Sequence, residues 1–105
     1  MNKERRDDQR VPTGLVARWD GLSGAAESRV DDISLGGCFI NTKTQVRVGE
    51  IVGLEIKLKS GELLRLRGEV VSHQPGIGFG VVFSFLTHEE EETLRRLLTS
   101  LPASV

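Results

Sequence analysis

At 105 residues the chain has room for one hydrophobic core, and 38% hydrophobic against 28% charged residues is the balance of a folded domain, not of a disordered chain. A net charge of −1 argues against a protein that coats long stretches of DNA or RNA, because such affinity draws on an excess of Lys and Arg. A single cysteine, Cys38, excludes an internal disulfide, and with only His73 and His88 beside it neither a metal site nor a cofactor is expected.

Residues 1–13 carry almost no apolar side chains and read as an arm, expected to be flexible when nothing is bound. It holds Arg5, Arg6 and Arg10 and ends in Val11-Pro12-Thr13-Gly14, where Pro12 steers Val11 away from helix. The N-terminus is charged where a signal peptide needs an apolar stretch, and no apolar run approaches the roughly 20 residues that span a bilayer. A cytoplasmic location and no membrane contact are the corresponding expectations.

From Leu15 to Asp20 apolar residues alternate with polar ones, which predicts a strand with Leu15, Ala17 and Trp19 on one face. Gly21 to Gly24 reads as a turn, and Ala25 to Asp31 as a more polar strand. It leads into Asp32-Ile33-Ser34-Leu35-Gly36-Gly37, a polar hexapeptide expected to be a turn. Asp32 and Ser34 offer side-chain oxygens there, and Gly36 and Gly37 permit torsions closed to other residues and a close approach by a ligand. An ordinary loop, with Asp32 and Ser34 bonding their own backbone, fits the same residues.

A short strand follows at Cys38 to Asn41, with Cys38 expected as a buried thiol, and then a surface loop to Gly49. Glu50 to Lys59 alternates with Leu54, Ile56 and Leu58 on one face, and Ser60-Gly61 closes a hairpin. Leu64, Leu66, Gly68 and Val70 face inward on the next strand, His73-Gln74-Pro75-Gly76 makes a turn, and Gly78 to Phe85 is the last strand. Trp19, Phe39, Phe79, Phe83 and Phe85 are spaced as strand residues and are assigned to the core. Thr87 with Glu90 forms a capping box for a helix over 87–101. Its Leu94, Leu97, Leu98 and Leu101 form a packing face, and Glu91 with Arg95 and Glu92 with Arg96 are spaced as ion pairs on the wet side.

The expected architecture is therefore mainly β. One domain over 1–105 consists of the arm (1–13), a small six-stranded antiparallel barrel (14–86) and the C-terminal helix.

Two motifs carry the functional reading. Guanidinium groups at Arg6 and Arg10, in an extended arm, suit phosphates and the O6/N7 edge of guanine. The Asp32 carboxylate accepts N–H groups such as those on guanine's opposite edge, and the Ser34 hydroxyl can donate to a phosphate. An anionic guanine nucleotide matches this set better than an uncharged metabolite does.

Arg6-x-x-x-Arg10 followed by Asp32-x-Ser34-x-x-Gly37 resembles the RxxxR and (D/N)xSxxG motif pair of the PilZ domain, a bacterial receptor domain for cyclic di-GMP. The stretch Gly76-Ile77-Gly78-Phe79-Gly80-Val81-Val82-Phe83 before an acidic-start helix is similar to the family's layout. The resemblance implies that Arg6 and Arg10 grip phosphates and guanine edges, that Asp32 and Ser34 contact a guanine and that Gly37, with Gly36 beside it, keeps the turn open. It also implies that Arg5, just before the first motif arginine, accompanies binding of a stacked ligand pair. The partners implied are cyclic di-GMP and a downstream protein: a flagellar motor, a polysaccharide synthase, a pilus factor or a regulator, acting in motility or biofilm control.

Other readings fit less well. A protein-interaction adaptor of the same fold that binds no nucleotide keeps the barrel and dispenses with Arg6 and Arg10. A single-stranded nucleic-acid binder needs exposed stacking platforms, and aromatics are only 5%. An enzyme needs a nucleophile beside its base, which nothing in the spacing of Ser34, Cys38, His73 and His88 supplies.

Overall fold

In the computed structural model, which describes residues 9–101, seven strands precede one helix. They are β1 (Val11–Pro12), β2 (Val16–Gly21), β3 (Gly24–Ile33), β4 (Gly37–Asn41), β5 (Ile51–Lys57), β6 (Leu63–Gln74), β7 (Gly78–Phe83) and α1 (His88–Ser100). All pairings are antiparallel. They run β3-β2-β5-β6-β7-β4, and β4 returns to β3. Six strands thus close a barrel, as the alternation predicts, and closure leaves no long edge exposed. The two residues of β1 pair with Ile33 and Asp32 at the far end of β3, so the sheet begins inside the stretch assigned to the arm. Pro12 is tolerated there because β1 is an edge.

The inward faces fill the barrel with side chains. Trp19, Val30, Ile33, Cys38, Ile40, Ile56, Val70 and Phe79 are wholly buried. Trp19 meets Phe79 edge-on with centroids 5.1 Å apart, and its Nε1–H donates to Ser28 Oγ at 3.1 Å, so the indole nitrogen is satisfied within the core. Phe85 departs from its core assignment. β7 ends at Phe83, and Phe85 is 87% exposed with φ +51°. Phe39 also departs: it points outward between buried Cys38 and Ile40 and is half-buried. His73 and Gln74 are the last residues of β6, opposite Phe79 and Gly78, so that turn is shorter than expected.

Period-two alternation breaks once in β3. Val30 and Ile33 both face the core, yet three positions separate them, and a regular strand would send one outward. The register with β4 shifts between Val30 and Asp32, which makes Asp31 the extra residue of a bulge. Asp31 is held outside by Arg29 Nε (2.9 Å) and Asn41 Nδ2 (3.1 Å), both donating to its carboxylate.

The helix starts with the capping box: Thr87 Oγ1 accepts from the Glu90 amide, and Glu90 Oε1 from the Thr87 amide. Leu94 and Leu97 are buried, and Leu98 and Leu101 pack against the same core, so the leucine face is used on its own barrel. Arg67 Nη2 donates to Glu90 Oε1 (2.9 Å) and to the Phe85 carbonyl (2.7 Å), pinning the start of α1 to β6. Of the two expected ion pairs along α1, Glu91–Arg95 forms at 3.1 Å. Arg96 donates to Thr93 Oγ1 instead of pairing with Glu92.

Glu50 organises the opposite end. Only 8% exposed, its carboxylate accepts from the Ser23 amide, the Ser23 hydroxyl and the Arg47 amide at 2.7–3.0 Å, tying the β2–β3 hairpin to the loop before β5. Burial pushes its pKa up, but those hydrogen bonds outweigh burial and hold it below the ordinary value. A carboxylate depressed in the fold stabilises above its unfolded pKa, and that contribution is lost as pH falls through the folded value. Glu50→Gln is therefore expected to lose about 1.5–3 kcal/mol of unfolding free energy at pH 7. The gap to wild type should narrow below about pH 4 in denaturant titrations.

Candidate ligand-binding site

The bulge at Asp31 sets the site. With the register shifted, Ile33 turns inward opposite Cys38, and Asp32 turns outward with Phe39 as its partner on β4 and Pro12 on β1. Arg10, two residues before Pro12, is thereby carried to Asp32: its Nη1 donates to Asp32 Oδ1 at 2.6 Å across 22 positions of sequence. The pair is half-open to solvent, with side-chain exposures of 50% and 34%, and such an ion pair contributes only about 0–1 kcal/mol. Arg5 and Arg6 lie outside the described residues.

Half of the hexapeptide is strand. Asp32 and Ile33 end β3, Gly37 begins β4, and only Ser34-Leu35-Gly36 turns. Ser34 is 3% exposed, and its hydroxyl serves the turn itself: the amides of Gly36 (3.1 Å) and Gly37 (3.2 Å) donate to Oγ. The Ser34 amide closes the turn on the Gly37 carbonyl at 2.8 Å. The local-bonding reading thus describes Ser34, whereas Asp32 bonds the arm.

Neither glycine is among those with positive φ, so the expected torsional role is corrected, and at Gly37 the requirement is steric. A Cβ on Gly37 would run into the Val81 carbonyl oxygen on β7, and the Gly36 carbonyl accepts from the Phe83 amide at 2.9 Å. Glycine lets the turn lie flush on β7.

Cys38 sits beneath the ion pair. Burial pushes its thiol up to about 12, the Arg10 charge pulls it down and the Asp32 charge adds to the rise. Wholly buried and held in its neutral form, the thiol is shielded from reagents in solvent.

Phe39 is the neighbour that sequence reasoning missed. Its ring lies over Gly78 on β7, where a side chain would crowd it, and reaches Gly80 at ordinary contact distance, and it stands beside Asp32 on the outer face. The parity of Cys38 and Ile40, both core, is the signal that places it outside. Among the described residues no group of three His, Cys, Asp or Glu side chains could hold a metal ion, and no helix is long and apolar enough to cross a membrane.

A family model of the PilZ domain matches residues 4–100. Three solved structures share the fold. The PilZ domain of CeSA from a cellulose-synthesizing bacterium has a TM-score of 0.70 at 19% identity, covering 88% of this chain and 96% of that one. The Bacillus subtilis inhibitor of motility MotI/DgrA has a TM-score of 0.67 at 18% identity, covering 93% of this chain and 54% of that one. MrkH of K. pneumonia in its apo state has a TM-score of 0.72 at 18% identity, covering 95% of this chain and 53% of that one. The chain thus spans about half the length of the latter two. A search of curated proteins gave no match.

Two outcomes check this geometry. Cys38 should resist a thiol reagent at pH 8 in the folded protein and react on addition of denaturant, followed by thiol titration. Gly37→Ala should lower stability by about 1–3 kcal/mol, because the added methyl forces β4 and β7 apart, as read by thermal unfolding.

Proposed function

The chain belongs to the PilZ domain family, and on that premise we propose that it is a cytoplasmic receptor for cyclic di-GMP, bound between the RxxxR arm and the DxSxxG turn. The observation that carries this reading is the meeting of Arg10 and Asp32 on the outer face of the barrel. The two motifs, remote in sequence, converge on one half-open ion pair.

Each residue then has a chemical task. Arg10 exchanges its carboxylate for a phosphate or a guanine edge, both of which a planar guanidinium can bind bidentately. Asp32, released, accepts N–H groups of a guanine. Ser34 acts through the turn it builds, fixing the backbone of Gly36 and Gly37 at the ligand's edge. Arg6 closes over the ligand as Arg10's counterpart, and Arg5 supports a stacked pair. The role is recognition without catalysis and requires no cofactor.

Ordering the arm costs roughly 1 kcal/mol per residue, which charge-assisted bonds to an anionic dinucleotide must offset. Binding changes the surface around the turn, and a downstream protein that prefers one form reads the messenger. A motor, a polysaccharide synthase, a pilus factor or a regulator would each fit that role. The rival is an adaptor that binds no nucleotide; the hydroxyl of Ser34, spent wholly on its own turn, is the observation on its side.

Isothermal titration calorimetry with cyclic di-GMP, with GTP and GMP as controls, separates them. We expect saturable binding of the dinucleotide alone, weakened by about 100-fold or more in Arg10→Ala through loss of charge-assisted bonds. Two ligands per chain in the wild type and one in Arg5→Ala would support the stacked pair. No heat and no thermal stabilisation at high ligand concentration would leave the adaptor reading.

A further inference from the structure

Phe85 is the most conspicuous surface residue outside the motif site. A left-handed backbone suits Gly, Asn or Asp, and a bulky aromatic there is an outlier that persists only where the surroundings impose it. Here the imposing group is Arg67, whose Nη2 holds the Phe85 carbonyl at 2.7 Å. The outcome is a phenyl ring 87% exposed at the entrance to α1.

At the other end of α1 lies the complementary shape. Leu15, Leu58, Leu97 and Leu101 line a groove of about 260 Å³ between the helix and the β5–β6 hairpin, and Lys59 and Arg96 stand among its lining residues. The helix between knob and groove is segregated by charge. Glu89 and Glu92 occupy its first half and, among the described residues, have no ion-pair partner, while Arg96 in its second half bonds only Thr93.

We propose that this face is a two-fold self-association surface, on which α1 packs antiparallel to α1 of a second copy and each Phe85 enters the leucine groove of the other. Phe85 lies just before the start of α1 and Leu101 caps its end, so in an antiparallel pair about a two-fold axis near Thr93 the phenyl ring of one copy meets the groove end of the next. The same operation brings Glu89 to the second copy's Arg96 and opposes the two helix dipoles. An isologous interface requires that one patch complement itself, and both halves of the match are present on this chain. The choice of a second copy rests on that charge and shape match. Leu63, 46% exposed beside the helix, adds apolar area near the axis. A 13-residue helix is about 20 Å long and roughly 10 Å wide, so the patch falls below the roughly 800 Å² per partner of a standard interface, and a reversible dimer of roughly micromolar affinity is the expected product. The proposal does not depend on ligand binding.

Sedimentation velocity on the full chain, from about 1 to 500 µM to bracket that affinity, tests it. The mean mass should rise from monomer toward dimer with concentration. Phe85→Gly should weaken the dimer by about tenfold or more, as loss of a buried aromatic anchor does. It should also raise the melting temperature measured at monomeric concentration, because glycine relieves the backbone. A purely structural role for Phe85 predicts a lower melting temperature instead. Glu89→Arg and Arg96→Glu should each weaken association, and the double reversal should restore it to within about threefold of wild type. A monomer at every concentration, a dimer indifferent to Phe85→Gly, or a double reversal that stays monomeric would each overturn the proposal.

Discussion

Two apolar residues three positions apart set the geometry on which the candidate site depends. Val30 and Ile33 must both reach the core, and a strand can bring them there only by discarding one residue from the ladder. Asp31 is that residue, and its carboxylate is kept outside by Arg29 and Asn41. Because of the bulge, Asp32 faces out and meets Arg10, whereas a regular strand would have pointed its charge at the barrel interior. The motif acid is thus presented by the packing demands of its apolar neighbours.

The serine and the glycines of the same motif work on the backbone. A buried hydroxyl that accepts two amides organises a tight turn without exposing itself, and a missing side chain at Gly37 lets that turn touch β7. Polar satisfaction and steric fit here reinforce each other: among the described residues no buried side-chain nitrogen or oxygen lacks a partner. Beside this turn the ion pair of Arg10 with Asp32 remains half-open to solvent. The turn is thus bonded within itself, while the charged pair beside it faces solvent.

Most of the fold was legible because alternation was regular. Leu15, Ala17 and Trp19, and Leu64, Leu66 and Val70, announce their faces by period two, and Thr87 with Glu90 announces the helix start. Bulges were not legible, since one inserted residue leaves no compositional mark beyond a change in apolar spacing. Phe85 was misassigned for a related reason: extending the alternation of β7 assumes that the strand continues, and it stops at Phe83. Glu50 escaped notice because a buried acid in a loop without periodicity looks like any surface carboxylate until its hydrogen bonds are known. The glycines were read for torsion and for a close approach by a ligand; neither has positive φ, and at Gly37 the close neighbour is the Val81 carbonyl of β7.

The turn, β7 and the helix form one hydrogen-bonded path. The Gly36 carbonyl holds the Phe83 amide; the Ser84 amide bonds the Arg67 carbonyl; the Arg67 guanidinium clasps the Phe85 carbonyl and the Glu90 carboxylate that caps α1. Contiguity alone is not coupling, which requires that two states of the path differ in affinity for whatever binds at each end. The candidate element for two states is Phe85, since its backbone is held away from its own preference by a single side chain. Any displacement of Gly36 must either break its bond to Phe83 or carry the end of β7 with it, and the end of β7 leads within two residues to Phe85. A ligand on the motif face and a molecule on the helix face would therefore act on the same three residues, Phe83 to Phe85, from opposite sides.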